Sequence, residues 1–112
     1  MAKSRSDKNY IIYQITCTIT SETYIGKCII RKRAIKKSLK SRWKEHVRAA
    51  LQEPEKTAGW RISQAIREHG PESFDNHEVL EIIPKRDVSR REAELIHTLY
   101  PELNTKKQRA CA

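Results

Sequence analysis

The sequence predicts an α+β fold in which helices flank a small three-stranded antiparallel sheet, with the element order β-β-α-α-β-α. Every second residue over positions 11–19 is apolar or aromatic, which indicates a first strand. Apolar residues at helical spacing in later segments indicate helices, and a β-prone apolar run over 74–83 supplies the third strand. The 112 residues suffice for one domain with a modest core.

The first two strands form a predicted hairpin. Every second residue of the first strand is apolar, so we expect one side of this strand to face the core and the other to face water; the apolar residues are Ile11, Tyr13, Ile15, Cys17 and Ile19. Polar residues 20–22 form the turn, and Thr23 begins the second strand. Gly26 interrupts that strand, as expected where a backbone, a side chain or a ligand comes close.

The first helix is predicted over residues 38–52. Four apolar residues recur at helical spacing and should pack inward, namely Leu39, Trp43, Val47 and Ala50. Arg42 and His46 lie four residues apart, so they share another face of this helix. The preceding basic stretch, residues 29–40, is compatible with either a short helix or a loop.

A second helix is predicted over residues 59–69, because Gly70 and the proline after it form a strong stop signal. We expect Trp60, like Trp43, to lie in the core; the alternative is an exposed Trp60 that stacks on a base. The third strand should cover residues 74–83, since Pro84 cannot continue the hydrogen-bonded ladder.

A third helix is predicted over residues 89–99 and ends before Pro101. The predicted domain spans residues 9–105, between a polar leader at 1–8 and a basic tail at 106–112. No internal repeat or low-complexity linker divides it.

Composition points to a cytoplasmic protein. No apolar run approaches the ~20 residues needed to span a membrane, and the N-terminus lacks the apolar stretch of a secretion signal. The three cysteines form no close pair, and their odd number suits a reducing cytosol, with Cys17 as a small buried apolar group. None of them has the ligand spacing of a zinc site.

The positive charge is concentrated in one segment. Residues 27–48 contain ten basic residues and one acid, which accounts for the whole net charge of +9. Such a focused field attracts phosphate polyanions. A solvated helix surface or an electrostatic membrane contact is the alternative, but the segment lacks a broad apolar face for lipid. The predicted DNA contacts are Arg31, Lys32, Arg33, Lys36, Lys37, Lys40 and Lys44.

Two tripeptides on neighbouring predicted strands, positions 11–13 (Ile-Ile-Tyr) and 24–26 (Tyr-Ile-Gly), resemble the paired signature of the GIY-YIG nuclease family. The second matches fully, whereas Ile11 stands where that family has glycine. Arg42 and His46 resemble the family's first helix, although the distance from Gly26 is longer than is common there, which leaves Arg33 as the alternative arginine. Glu92, followed by Ile96, Pro101 and Asn104, resembles the closing motif.

The resemblance implies a metal-dependent DNA endonuclease of the homing or restriction type, with Tyr13, Tyr24, Arg42, His46 and Glu92 as its catalytic residues. One tyrosine would accept a proton from the attacking water, and Arg42 would hold two phosphate oxygens with its planar fork. Lys27 and Gly26 would lie against the phosphate. We expect Asn104 to attach the chain end to the fold through side-chain hydrogen bonds.

The expected site offers one carboxylate, which favours a single hard cation, Mg²⁺ or Mn²⁺, bound by Glu92, water and phosphate. Ser89 and Glu92 also form a capping-box pattern. If Glu92 only caps the helix, Glu94 becomes the spare carboxylate.

Two other functions remain open from the sequence. The chain could be a catalytically inactive nucleic-acid-binding module of the same fold, for which Ile11 is the best argument. It could also be a basic protein associated with RNA or the ribosome. The expected partner is double-stranded DNA, and a homodimer is compatible with the sequence, which indicates neither the target site nor the number of strands cut.

Overall fold

A computed structural model describes residues 9–104 and confirms the predicted α+β architecture. The predicted leader at 1–8 and basic tail at 106–112 lie outside the described residues, as does position 105. The elements, in chain order, are β1 (Asn9–Thr16), β2 (Thr23–Ile29), α1 (Ile35–Gln52), α2 (Arg61–His69), a 3₁₀ turn (Pro71–Ser73), β3 (Asn76–Pro84) and α3 (Lys85–Leu99).

The three strands form one antiparallel sheet in the order β2-β1-β3. In this register Tyr13 at the centre of β1 lies opposite Gly26 on β2 and Val79 on β3. The pairing with β3 shifts between Ile12 and Tyr13, which marks a β-bulge. Tyr13 therefore lies on the middle strand, at the point where its pairing with β3 is irregular.

Both faces of β1 are buried, and this corrects the expectation that one side would face water. Ile11, Tyr13 and Ile15 belong to a core cluster shared with α1 and α2. Ile12 is 0% exposed, because together with Ile25 it packs in a second core cluster shared with α3. Apolar residues at every second position show that one face of a strand is buried. They do not show whether the other face is exposed to water or covered by a second helix.

Several predicted boundaries were wrong by a few residues. β1 ends at Thr16 rather than at Ile19, because residues 17–22 form a turn; Ile19 is 64% exposed. Trp60 was expected in the core and is half-exposed at the start of α2. β3 begins at Asn76, two residues after the predicted start.

α1 and α3 both begin earlier than predicted. α1 starts at Ile35, so the basic stretch before it divides between a loop and the first helical turn. α3 starts at Lys85, directly after Pro84, whose φ of −62° suits the residue before a helix. The predicted ends of all three helices are confirmed at Gln52, His69 and Leu99.

The outer edge of β2 is covered by the chain segment that follows α3. The Leu103 amide donates to the Thr23 carbonyl at 2.9 Å. The Asn104 side chain accepts from the Ile25 amide and donates to the Ile25 carbonyl, both at 2.9 Å, as expected for a residue that attaches the chain end. None of the helices described between residues 9 and 104 is both long and apolar enough to span a membrane.

Candidate active site

The contact between Tyr13 and Gly26 explains why the second strand contains a glycine. A Cβ atom at Gly26 would lie 2.6 Å from Cζ of Tyr13 and 2.9 Å from Cε2 of Tyr24. Real Cβ atoms do not approach other heavy atoms so closely, so only glycine leaves room for the two rings. The phenol rings of Tyr13 and Tyr24 lie with their centroids 6.4 Å apart. The predicted close approach at Gly26 is therefore that of two tyrosines.

His46 on α1 packs against both phenol rings. Its Nε2 atom lies 3.1 Å from the Tyr13 hydroxyl, and the edge of its ring meets the Tyr24 ring at a centroid distance of 5.4 Å. His46 is only 5% exposed. Burial, with smaller effects from the nearby charges of Arg42 and His77, lowers its pKa to about 4. The imidazole is consequently neutral at pH 7, and one of its nitrogens can accept a proton.

Burial keeps both phenols protonated at neutral pH. It raises the pKa of Tyr13 far above its usual value, and Tyr24 adds to this rise. It also raises the pKa of Tyr24 to about 12. The positive charge of Arg42 acts in the opposite direction on both phenols without cancelling the effect of burial. Neither tyrosine can therefore act as a free phenolate base in the unbound protein.

Arg42 lies within the electrostatic reach of the phenols, the imidazole and the Glu92 carboxyl group, whose pKa values it lowers. Its guanidinium is partly exposed and pairs with the Glu45 carboxylate at 2.9 Å. The alternative arginine, Arg33, is exposed in the loop before α1. The structure therefore groups Arg42 with the tyrosines.

A small cavity of about 140 Å³ lies between β2 and α1 beside Arg42. Its lining contains three cations (Lys27, Arg31 and Arg42), the side chain of Ser41, and the Glu45 carboxylate that pairs with Arg42. Cationic groups and hydroxyl donors are the partners that phosphate oxygens take in proteins. Because the cations outnumber the carboxylate, the cavity suits an anion that replaces Glu45 at Arg42.

Glu92 projects from α3 and is 18% exposed. Its Oε1 lies 3.8 Å from Nζ of Lys27, and that ammonium also donates to the Ser89 hydroxyl at 2.9 Å. Burial raises the pKa of Glu92, although the charges of Lys27 and Arg42 oppose the rise. The carboxylate thus faces two cations in a partly dehydrated position, where a bound cation would stabilise its ionised form.

The capping-box interpretation of Glu92 was wrong. Because α3 begins at Lys85, Ser89 lies in its second turn rather than at its start. Glu94, the alternative carboxylate, forms ion pairs with Arg90 at 3.1 Å and with Arg91 at 3.4 Å. Glu92 is therefore the carboxylate of α3 that faces Lys27.

The donor set limits how a metal ion could bind. Among residues 9–104, no three His, Cys, Asp or Glu side chains are grouped so that they could hold a metal between them. A Mg²⁺ or Mn²⁺ ion at this site would have Glu92 as its protein ligand and would complete its shell with water and phosphate oxygens, which Mg²⁺ commonly does. The partly buried, cation-flanked carboxylate fits that role.

All seven predicted DNA contacts are exposed around the start of α1. Lys32 and Arg33 adopt left-handed backbone angles (φ 51° and 58°) in the loop before the helix, a conformation that costs ~1–2 kcal/mol for such residues. The Ser38 hydroxyl holds this loop by accepting from the Arg31 amide at 3.0 Å and donating to the Ala34 carbonyl at 2.7 Å. The basic surface is thus fixed in place rather than formed by a loose tail.

Sequence reasoning missed two further groups of this region. Glu45, the ion-pair partner of Arg42, could have been identified from its spacing of three residues on one helix. His77 on β3 packs edge-on against the Trp43 ring, 5.2 Å away between centroids. Nothing in the sequence indicates that contact, because 34 positions separate the two residues and the bulge in β3 determines which way each side chain points.

The arrangement unites a phenol–imidazole pair, a guanidinium beside an anion-sized cavity and one carboxylate, all brought together from β1, β2, α1 and α3. These groups could bind a phosphate, move a proton and hold a cation. Comparisons with protein-family models, with curated proteins and with solved structures find no match for this chain. Only these residues and their geometry indicate what the protein does.

Proposed function

We propose that this protein is a metal-dependent DNA endonuclease that hydrolyses phosphodiester bonds. One observation carries the proposal: the five side chains singled out from the sequence come from four separate elements and share one site, namely Tyr13, Tyr24, Arg42, His46 and Glu92. A plain core hairpin would not require a buried phenol–imidazole pair beside a guanidinium and a carboxylate. Homing and restriction types both remain compatible with it.

Arg42 binds the scissile phosphate in this proposal. The cavity beside it, with Lys27 and Arg31 in its wall, accommodates the phosphate oxygens, and the phosphate displaces the Glu45 carboxylate from the guanidinium. The seven predicted DNA contacts around the start of α1, from Arg31 to Lys44, bind the neighbouring phosphates of double-stranded DNA. The first turn of α1, all of it described, contains lysines and no acidic residue. This charge adds to the positive end of the helix dipole and suits an anionic partner.

Tyr13 and His46 act together as the general base. The Tyr13 hydroxyl accepts a proton from the attacking water while it transfers its own proton to Nε2 of His46, 3.1 Å away. This exchange never requires a free phenolate, which burial disfavours. Tyr24, half-buried against the His46 ring, holds the imidazole in place from the other side.

Substrate binding strengthens this base. The charge of Arg42 is one cause of the low pKa of His46. A phosphate on Arg42 neutralises that charge, so the pKa of His46 rises and the imidazole accepts a proton more readily. The proton-accepting pair thus becomes effective when DNA occupies the site.

Glu92 holds the divalent cation, which when bound supplies electrophilic stabilisation of the leaving 3′ oxygen. Lys27, 3.8 Å from the carboxylate, adds positive charge beside the phosphate. The products would carry 5′-phosphate and 3′-hydroxyl ends. A cytoplasmic location and a homodimer are compatible with this activity and remain predictions.

Plasmid cleavage with end-mapping tests the proposal. Supercoiled DNA should be nicked or linearised in Mg²⁺ or Mn²⁺ and remain intact in EDTA. Arg42→Ala and Glu92→Gln should each lower the rate at least ~100-fold, the usual loss when one charge-stabilising group is removed. Arg48→Ala and Glu94→Gln are matched controls, since both residues are exposed neighbours on the same helices, and they should cleave nearly normally.

The inactive DNA-binding module is the competing function, and the same assay decides between them. Ile11, its main support, is fully buried beside α1 and α2 and lies opposite Cys28, so it contributes to the core. Intact plasmid in every metal, together with retained DNA binding, would show that the module binds without cutting. Full cleavage by Glu92→Gln would refute the metal site.

A further inference from the structure

A second cavity, of about 420 Å³, opens between α1 and the segment that leads into β3. Its floor is apolar and aromatic and its rim is charged. The lining residues that matter for recognition are Lys36, Lys40, Trp43, Phe74, Asp75 and His77. We call it the Trp43 groove. The proposed cleavage chemistry uses none of these six side chains.

The aromatic floor of the Trp43 groove is held in a fixed orientation. The indole ring lies against Phe74, with centroids 5.5 Å apart and planes tilted by 39°. His77 meets the indole edge-on at 5.2 Å, and the His77 ring is itself held by a hydrogen bond to the Phe74 carbonyl. A rigid aromatic surface of this kind binds flat rings without losing much conformational freedom on binding.

The charged rim favours a nucleotide over an apolar peptide or a lipid chain. Lys36 and Lys40 are exposed and lie one turn apart on α1, where both can reach phosphate oxygens. Asp75 is exposed on the opposite side of the groove, and its carboxylate can accept a hydrogen bond from a base amino group. Two cations, one acceptor and an aromatic floor together match the phosphate, the amino edge and the flat face of a nucleotide.

The Trp43 groove and the anion-sized cavity lie on opposite flanks of α1. The groove is lined on this helix by Lys36, Lys40 and Trp43, and the cavity by Ser38, Ser41 and Arg42. Trp43 also contacts the buried ring of His46, with centroids 6.1 Å apart. In an intact duplex each base is stacked between its neighbours, so its face cannot contact Trp43 unless the base leaves the helix.

We infer that the Trp43 groove binds the base of an unpaired DNA nucleotide. The preferred substrate is then DNA that contains an unpaired base, rather than a fully paired duplex. This inference rests on the proposed function for the choice of DNA as the partner. The base-binding step itself needs no cleavage and can be measured separately.

Fluorescence binding assays test the inference without requiring cleavage. Two hairpin DNAs of equal length carry 2-aminopurine at one position, unpaired in the first and paired in the second, and are titrated in EDTA. Wild-type protein should bind the unpaired form roughly tenfold more tightly, within the range of base–aromatic stacking, and should quench its fluorescence. Trp43→Leu should lose both the preference and the quenching but keep its affinity for the paired form.

Trp60→Leu is the matched control, because Trp60 is the other tryptophan and is half-exposed at the start of α2. It should behave like wild type. Because Trp43 also packs against the core, Asp75→Ala provides a second test at an exposed position of the groove, to be used if circular dichroism shows Trp43→Leu to be unfolded. Loss of the acceptor for the base amino group should lower the preference for the unpaired form. A preference that survives in the folded variants, or equal wild-type affinity for both DNAs, would overturn the inference. Tighter binding of the matching RNA would overturn the assignment to DNA.

The two proposals fail in different ways. If no DNA is cut in Mg²⁺ or Mn²⁺ and the preference for the unpaired base persists, the nuclease proposal is wrong and the Trp43 groove remains a base-binding site. If plasmid is cut but paired and unpaired DNAs bind equally, the groove has no such role and the nuclease proposal stands.

Discussion

The two faces of the sheet bury very different chemistry, although alternating residues of the same strand supply both. On the face covered by α1 and α2, Tyr13 meets a neutral imidazole and the field of Arg42. On the face covered by α3, Ile12 belongs to an apolar cluster that includes Val88 and Ile96. The buried Tyr13 phenol is thus anchored by its chain neighbour, whose side chain is fixed in an ordinary apolar core. One strand can therefore carry a buried polar group when its opposite face is apolar.

Substitutions at the adjacent residues Tyr13 and Ile12 should have the most different effects on cleavage and stability. Tyr13→Phe removes one hydroxyl, so cleavage should fall at least ~100-fold, as for loss of a general base, while unfolding free energy changes by only about 1 kcal/mol. Ile12→Ala leaves a cavity and should cost ~2–5 kcal/mol of stability, with near-normal cleavage by the folded fraction. Single-turnover kinetics and urea unfolding measure both effects. Normal cleavage by Tyr13→Phe would contradict the assigned role.

Gly26 and Gly59 differ in how much space surrounds the position of an added Cβ atom. A Cβ at Gly26 would enter the space of the Tyr13 and Tyr24 rings, so Gly26→Ala should displace them, lower stability by about 1–3 kcal/mol and reduce cleavage more than tenfold. Gly59→Ala is the control, because no described atom lies within 4 Å of its added Cβ, and it should leave both properties unchanged. Thermal unfolding and the plasmid assay give the result. If Gly26→Ala retains full activity, the close packing of the rings is not required.

The sequence predicted the fold class, because alternation, helical spacing and glycine–proline stops are local signals. The grouping of the site residues was expected only from the resemblance to a nuclease family, since no local pattern brings distant residues together. The sequence also predicted that Asn104 would attach the chain end, but not that its side chain hydrogen-bonds the backbone of Ile25, between Tyr24 and Gly26. The burial of Ile12 also escaped, since it depends on where α3 packs. Contacts between distant segments, such as the hydrogen bond from Lys27 to Ser89, depend on how the helices and strands pack together. No local sequence pattern determines that packing.

Burial of His46 against Tyr13 makes the face of the sheet covered by α1 and α2 sensitive to acid. Because the pKa of His46 is lowered to about 4 in the folded protein and is near ~6.5 when unfolded, the unfolded chain binds more protons between these values. Stability is therefore full above pH 6.5 and is lost as the pH falls toward 4.

From pH 7.5 to pH 5 this linkage should cost about 2 kcal/mol. Urea unfolding across that range measures it in wild type, in His46→Gln and in the control His97→Gln, whose histidine is exposed on α3. We expect His97→Gln to keep the wild-type slope and His46→Gln to flatten it, since glutamine does not titrate. Equal slopes in all three proteins would mean that the pKa of His46 is the same in the folded and the unfolded protein, which would contradict the effect assigned to its burial. The imidazole would then become protonated as the pH falls through the ordinary range of histidine, and the pair could act as the base only above that range.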